Sequence, residues 1–353
     1  METVQETMSA IIKCSPEPGY EFRRVPVPKP QPNEVLLRIE RAAICGTDIL
    51  LYKWDPLTHW MLEKPMFVPG HECSGEVVGV GESVRNVRVG DRVCAETHIP
   101  CGHCYQCTHG SPHICRNLIL FGHHVDGCFA EYTKIPSSAV YVLKSHLPAE
   151  LACLLEPMGV SLRGVEEVGP RNDSLLITGC GPIGLFAIGL GKFFGARLIM
   201  ASDISPTRLE VARRMGADVV INVRNFDLGK EVLQETAGDG VGCIIECSGE
   251  PTVVQQTFSV LRKGGKIVLL GNPKGPVEIV DVMRSLMHKE LTLKTLHGRK
   301  MYETWERCES LLADGSVDIA PIHTHTFPLR RFDEAFAVIL KGEACKVELV
   351  PGG

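Results

Sequence analysis

Apolar positions between Val25 and about Ser137 come in short runs broken by turn residues. Val35, Leu37 and Ile39 alternate with their neighbours, the run Glu76–Val80 is bounded by Gly75 and Gly81, and Gly90-Asp91 precedes another short run. Runs of this kind, punctuated by glycine, predict short strands and hence a compact, mostly β domain. From about Asp173 the rhythm changes. Six short apolar runs follow, at Leu175–Thr178, Leu198–Ala201, Val219–Val223, Cys243–Ile245, Lys266–Leu270 and Leu291–Leu296. Helical patterns separate most of them. Ile183, Phe186, Ala187, Leu190 and Phe194 lie on one face of a helix, and Ser205-Pro206 reads as an N-cap followed by proline at the first helical position. Strand–helix alternation predicts a doubly wound parallel sheet, so the fold class is α/β with a second, β-rich domain. The tail is largely polar from Leu296 to Arg330-Arg331, turns more apolar from Phe332 and ends in a strand signal at Val347–Val350. It is predicted to return to the first domain.

Length and charge narrow the function. The 353 residues suit two domains, and 37 basic against 42 acidic side chains leave a net charge of −5, which disfavours a nucleic-acid partner held by phosphate contacts. The segment Met1–Ser9 has no cationic stretch or apolar core, so it predicts no secretory signal. The uncharged run Ser174–Gly191 holds five glycines and Pro182; it predicts a strand and a turn, not a membrane span. Fifteen cysteines, an odd number scattered outside one cluster, do not form a disulfide framework. They predict a reducing, cytoplasmic setting and thiols that bind metal.

The glycines of Gly179-Cys180-Gly181-Pro182-Ile183-Gly184 follow a predicted strand and open a predicted helix. In that context the first permits a tight turn, the second lets backbone approach a pyrophosphate and the third allows close packing. Asp203 closes the next strand, where a carboxylate accepts hydrogen bonds from the adenosine ribose and repels a 2′-phosphate. The pattern predicts NAD. Arg208 either stacks on the adenine or neutralises a phosphate.

Cys101, Cys104, Cys107 and Cys115 place four thiols within one short loop. Four sulfur ligands with no open position describe a structural zinc lobe, with an iron–sulfur cluster as the chemical rival. A second set is dispersed: Cys45 in Cys45-Gly46-Thr47-Asp48, His71-Glu72 after Pro69-Gly70, and Glu156-Pro157 at the seam between the two regimes. One thiolate, one imidazole and one carboxylate make a zinc site that keeps a position for water or an alcohol. By spacing alone they read equally as structural groups.

Together with Gly90-Asp91-Arg92-Val93, these motifs make the chain from about Pro26 to Val350 resemble the zinc-dependent medium-chain dehydrogenases. The resemblance is strongest to the L-threonine 3-dehydrogenase branch, through Tyr52-Lys53-Trp54-Asp55, Glu96-Thr97-His98-Ile99, Gly127–Tyr132, Gly298-Arg299 and Glu303-Thr304-Trp305. It implies a GroES-like, mostly β catalytic domain over 1–158, with 297–353 returning to it, and an NAD-binding Rossmann domain over 159–296. It also implies two zinc ions per chain. Cys45, His71 and one or both of Glu72 and Glu156 would hold the catalytic zinc, and the four-cysteine lobe the structural one. Thr47 would touch the reacting oxygen and pass its proton outward. Glu156 would serve catalysis, and His98 would shape the substrate pocket. Ile183, Asp203, Arg208, Leu270, Gly271, Leu296 and His297 would contact NAD.

The implied reaction is reversible oxidation of a secondary alcohol, in a cleft between the domains, by a homo-oligomer (tetramer or dimer). Threonine or a related small 3-hydroxy amino acid leads; a polyol such as sorbitol, xylitol or inositol is the alternative, and a catalytically silent zinc- and dinucleotide-binding relative is a third. Two departures bear on the choice. Leu50 stands where the threonine enzymes place a histidine that completes a proton relay, and Met158–Arg163 differs from the threonine pattern.

Overall fold

The computed structural model describes residues 5–61 and 66–352, with backbone only at Trp60 and Met61. The chain divides into two compact units: 1–156 with 300–313 and 324–353, and 157–299 with 314–323. The predicted fold class, a β-rich unit and an α/β unit with a parallel sheet, is what forms.

The first unit is built on a seven-stranded sheet. Six strands run in the order His323–Pro328, Lys346–Val350, Glu34–Ala43, Glu72–Val80, Arg92–Ala95 and Val140–Val142, and Tyr132–Pro136 also pairs with Glu34–Ala43. Val35, Leu37 and Ile39 are buried as the alternation predicts, but Leu36 is buried too, because core covers both faces of this strand. Pro69-Gly70 turns into His71 at a three-way backbone crossing. A Cβ on Gly127 would lie 1.9 Å from the Gly70 carbonyl oxygen and one on Gly122 2.2 Å from it, while Gly70 itself has φ of 93°. Only glycines permit that approach.

The second unit holds six parallel strands in the order Val219–Asn222, Leu198–Asp203, Ser174–Thr178, Val241–Glu246, Leu261–Leu269 and Thr292–Thr295. In sequence terms this is 3-2-1-4-5-6, the doubly wound order, whose reversal beside Ser174–Thr178 creates a ligand crevice at the strands' carboxyl ends. Ser174–Thr178 and Val241–Glu246 are buried throughout, as central parallel strands covered on both faces must be. The uncharged run breaks as read, into Ser174–Thr178 and the helix Pro182–Phe193. Among the described residues no helix is long and apolar enough to cross a membrane.

The tail divides where the sequence reading sent 297–353 whole to the first domain. Residues 297–299 and 314–323 group with the second unit. Val317, Ile319 and Ile322 are buried, and Val317 Cγ1 comes within 3.5 Å of the Cβ position of Gly189 on the helix Pro182–Phe193. Three apolar side chains inside a polar stretch are a weak periodic signal, which is why the sequence concealed it.

Gly184 is the tightest point of the dinucleotide turn: a Cβ there would lie 2.0 Å from the Gly179 carbonyl oxygen. Gly184→Ala must therefore move the strand–turn–helix junction, at about 3 kcal/mol or more. A urea melt of the variant should show a lowered midpoint together with weakened NADH binding; an unchanged midpoint would contradict this account of the turn.

Candidate active site and metal centres

The strand Glu34–Ala43 delivers the chain to Cys45, and its two neighbours bring the other groups. Ala43 pairs with Glu72 on one side and with Glu348 on the other. Cys45 caps the helix Gly46–Lys53, and Asp48, in its first turn, accepts from the Cys45 N–H at 2.9 Å. His71 immediately precedes the strand Glu72–Val80. Sheet pairing thus explains why residues distant in sequence meet. The ligand atoms of Cys45, His71 and Glu72 all lie within 4.8 Å of one another. Thr47 Oγ1 is 3.5 Å from Cys45 Sγ.

Glu156 stands just outside that triplet. It lies in the first turn of the helix Leu155–Val168, is buried, and accepts from Thr97 Oγ1 at 2.5 Å. Glu72 is ion-paired with Lys346, and both side chains are fully buried. Lys346 also donates to the Ile44 carbonyl at 3.1 Å. Burial pushes Glu72 up and Lys346 opposes that; burial pulls Lys346 down, and Glu72, Cys45 and Glu156 together more than restore it. Burial also works against a charged His71, but Asp48, Cys45 and Glu156 outweigh it and carry His71 up to about 10. The pocket therefore favours positive charge at His71, whose Nδ1 has no hydrogen-bond partner. A thiolate, an imidazole and a carboxylate around such a pocket fit zinc.

The four-cysteine lobe also fits. Sγ of Cys101, Cys104, Cys107 and Cys115 lie within 4.8 Å of one another, with Cys104–Cys107 at 3.4 Å and Cys104–Cys115 at 3.7 Å. A tetrahedral Zn–S4 site has sulfur–sulfur edges of about 3.8 Å. The N–H groups of Cys101 and Asn117 each point at Cys115 Sγ from 3.3 Å, and those of Cys107 and Arg116 bring the Cys104 thiol down to about 6. Donors aimed at sulfur favour thiolates.

In the second unit a cavity of about 240 Å³ is lined by Gly179, Gly181, Asp203, Arg208, Ser248 and Lys274, among others. Asp203 accepts from the N–H of Cys180 at 2.7 Å and of Ser205 at 2.8 Å, so the carboxylate is fixed at the turn. A Cβ on Gly181 would meet nothing within 4 Å, and Arg208 Nε is buried without a hydrogen-bond partner. Room at the turn, an anchored carboxylate and an unpartnered guanidinium nitrogen fit a dinucleotide. Of the other expected contacts, Ile183 and Gly184 begin the helix behind the turn. Gly271 N–H and Leu270 N–H bond the Glu246 carbonyl, Leu296 follows the edge strand, and the His297 carbonyl accepts from Arg163.

Several neighbours escaped the sequence reading. Asp48 lay inside a quoted motif but carried no role; its Oδ1 is 3.8 Å from His71 Nδ1. Lys346 belongs to a strand whose alternation would turn it to solvent. His123 is buried with its ring 4.9 Å from that of His71; burial and His71 push it down to about 3. Glu96 is fully buried.

Residues 31–145 match the alcohol dehydrogenase GroES-like domain and residues 182–314 the zinc-binding dehydrogenase domain. An L-threonine 3-dehydrogenase of Bacillus licheniformis is 40% identical over 98% of this chain and 99% of its own length. The chain belongs to the zinc-binding alcohol dehydrogenase family. The L-threonine 3-dehydrogenase of Pyrococcus furiosus is likewise 40% identical, over 98% of this chain and 99% of its own. Among solved structures, a protein of Escherichia coli CFT073 described as a short chain alcohol dehydrogenase (rspB), complexed with NADH, superposes with TM-score 0.89 at 27% identity, covering 98% of this chain and all of that one. Galactitol-1-phosphate dehydrogenase from Escherichia coli gives 0.88 at 25%, with the same coverage. The dehydrogenase is thus a zinc-dependent oxidoreductase of alcohols working with a nicotinamide dinucleotide.

Two outcomes follow. Metal analysis of the purified dehydrogenase should find about two zinc ions per chain, and Cys104→Ser about one; two in the variant would contradict the lobe. In metal-free protein, His71 holds a proton between its unfolded value of 6.5 and about 10 that the unfolded chain releases. The stability it contributes is full below pH 6.5 and is lost as pH rises toward about 10. Urea midpoints of the metal-free protein should fall over that window and fall less in His71→Asn; parallel slopes would contradict it.

Proposed function

We propose that the dehydrogenase oxidises the secondary hydroxyl of L-threonine, or of a related small 3-hydroxy amino acid, with NAD. The observation that carries this is the convergence of Cys45, His71 and Glu72 on one buried point with Thr47 Oγ1 beside it. Relatives named for threonine oxidation, matched over almost the full chain, supply the substrate class.

When bound, zinc and NAD supply Lewis acidity toward the alcohol and a hydride acceptor. Cys45 and His71 would hold the metal with Glu72 or Glu156 as the carboxylate. Of the two, Glu72 is occupied by Lys346 and Glu156 by Thr97, so each carboxylate keeps one oxygen engaged by the protein. Thr47 relays the hydroxyl proton of the substrate, accepting it at Oγ1 while releasing its own hydroxyl proton. Leu50, one turn further along the same helix, cannot carry that proton, so it leaves through water. His98 borders the substrate, and Asp203 holds the adenosine ribose, its charge repelling the 2′-phosphate of NADP.

A polyol is the second reading, favoured by Leu50 and by the likeness to galactitol-1-phosphate dehydrogenase. A silent relative is disfavoured by a buried metal-ligand set with no structural need. We also propose a homo-oligomer. Thr292–Thr295 is an exposed edge strand, and the nearby sequence exposes Val280, Met283 and Met287. Among the described residues none of the fifteen cysteines forms a disulfide, which suits the cytoplasm.

The test is a panel of alcohols with the zinc-loaded dehydrogenase, read as reduced-cofactor absorbance. L-threonine with NAD should exceed sorbitol, xylitol and inositol by at least about 10-fold in kcat/KM, and NAD should exceed NADP. A polyol outrunning threonine would overturn the substrate, and preference for NADP the cofactor.

A further inference from the structure

Two segments that mark the threonine branch in the sequence, Glu96–Ile99 and Glu303–Trp305, turn out to be in contact. Glu96 is fully buried, yet the structure gives its carboxylate three N–H donors. Oε1 accepts from the His98 backbone N–H at 2.9 Å and lies 2.7 Å from His98 Nδ1, and Oε2 accepts from the Trp305 indole Nε1–H at 2.7 Å. His98 and Trp305 are themselves buried. Trp305 is held in turn: it stacks on Tyr141 with ring centroids 5.5 Å apart, and the Tyr141 hydroxyl donates to Glu309 at 2.6 Å. Between Glu96 and His98, Thr97 donates to Glu156. Three consecutive residues thus fix a carboxylate of the active site on one side and an imidazole on the other.

We propose that Glu96 is a positioning residue for substrate binding, acting through His98. A carboxylate can only accept, so the proton of a neutral His98 ring sits on Nδ1 and the lone pair on Nε2. Because one carboxylate oxygen holds both the main chain and the ring of His98, the imidazole cannot turn without giving up a buried bond. Trp305 anchors the other oxygen, so the carboxylate cannot swing away either. A ring held this way accepts hydrogen bonds at Nε2, and the substrate group it selects is a donor, an ammonium or a hydroxyl. Carboxylates that orient an imidazole from behind change activity by about 10–100-fold when removed from metal sites.

The inference rests on His98 bordering the substrate, and its test separates the two. In zinc-loaded enzyme labelled with 15N-histidine, long-range proton–nitrogen correlations should show His98, identified by its loss in His98→Ala, as the Nδ1–H tautomer. Glu96→Gln should abolish or mix that tautomer. A wild-type Nε2–H ring, or an unchanged tautomer in Glu96→Gln, overturns the proposal whatever the substrate is. In turnover, Glu96→Gln should raise KM for L-threonine about 10-fold or more while kcat changes less than about 3-fold and KM for NAD stays put. Added to His98→Ala, Glu96→Gln should cause no further rise in KM; a full additional factor would show that Glu96 acts elsewhere. If another alcohol wins the panel, the same cycle is run with it, and only the substrate assignment has failed. Should Glu96→Gln fail to fold, Trp305→Phe keeps an aromatic ring against Tyr141 but removes the donor to Oε2; it should raise the same KM by a smaller factor, and an unchanged KM overturns the role.

Discussion

At the end of the strand Glu34–Ala43 the protein collects Cys45, Asp48, Glu72 and Glu156, and of the carboxylates among them Asp48 and Glu72 are entirely buried. Negative charge taken out of water is tolerated only with partners. Lys346 supplies one cation, against Glu72, and His71 holds a proton to about 10 in the metal-free chain. Zinc bound by a neutral His71 would take the place of that proton. The rest of the first unit serves that point. Strand pairing sets which residues face each other, the glycine crossing at Gly70 lets His71 approach, and the 96–98 segment holds Glu156 and His98 together.

The second unit solves a different problem with backbone. Its parallel strands end at a turn whose N–H groups are organised by Asp203 on one side and by Glu246 on the other. Glu246 accepts from the N–H groups of Ser248 and Gly249 at 2.8 and 3.1 Å. The cavity beside them is lined by Gly179 and Gly181, by Asp203 itself, and by the basic side chains Arg208 and Lys274. Oxidation of an alcohol needs both devices: an anionic metal pocket and a loop that accepts a pyrophosphate.

Features encoded locally were legible in the sequence. The spacing of Cys101, Cys104, Cys107 and Cys115 specifies a sulfur tetrahedron within one loop, and the glycines at 179, 181 and 184 sit where strand and helix patterns meet. Features made by pairing across long separations were not. Lys346 and Glu348 alternate with apolar residues in a terminal strand, a pattern that ordinarily places charge in water, yet both are buried because the strand lies inside the sheet, between His323–Pro328 and Glu34–Ala43. Glu96 and Trp305 are 209 positions apart, and nothing in either segment announces the other. Asp48 was visible only as part of a motif; its position against His71 depends on how the helix Gly46–Lys53 is capped.

X-ray absorption at the zinc edge addresses the convergence of Cys45, His71 and a carboxylate most directly. The account predicts, for fully loaded protein, an averaged shell of about 2.5 sulfurs per zinc with the remainder nitrogen and oxygen. An averaged shell of about four sulfurs, from a single metal in the cysteine lobe, would contradict it.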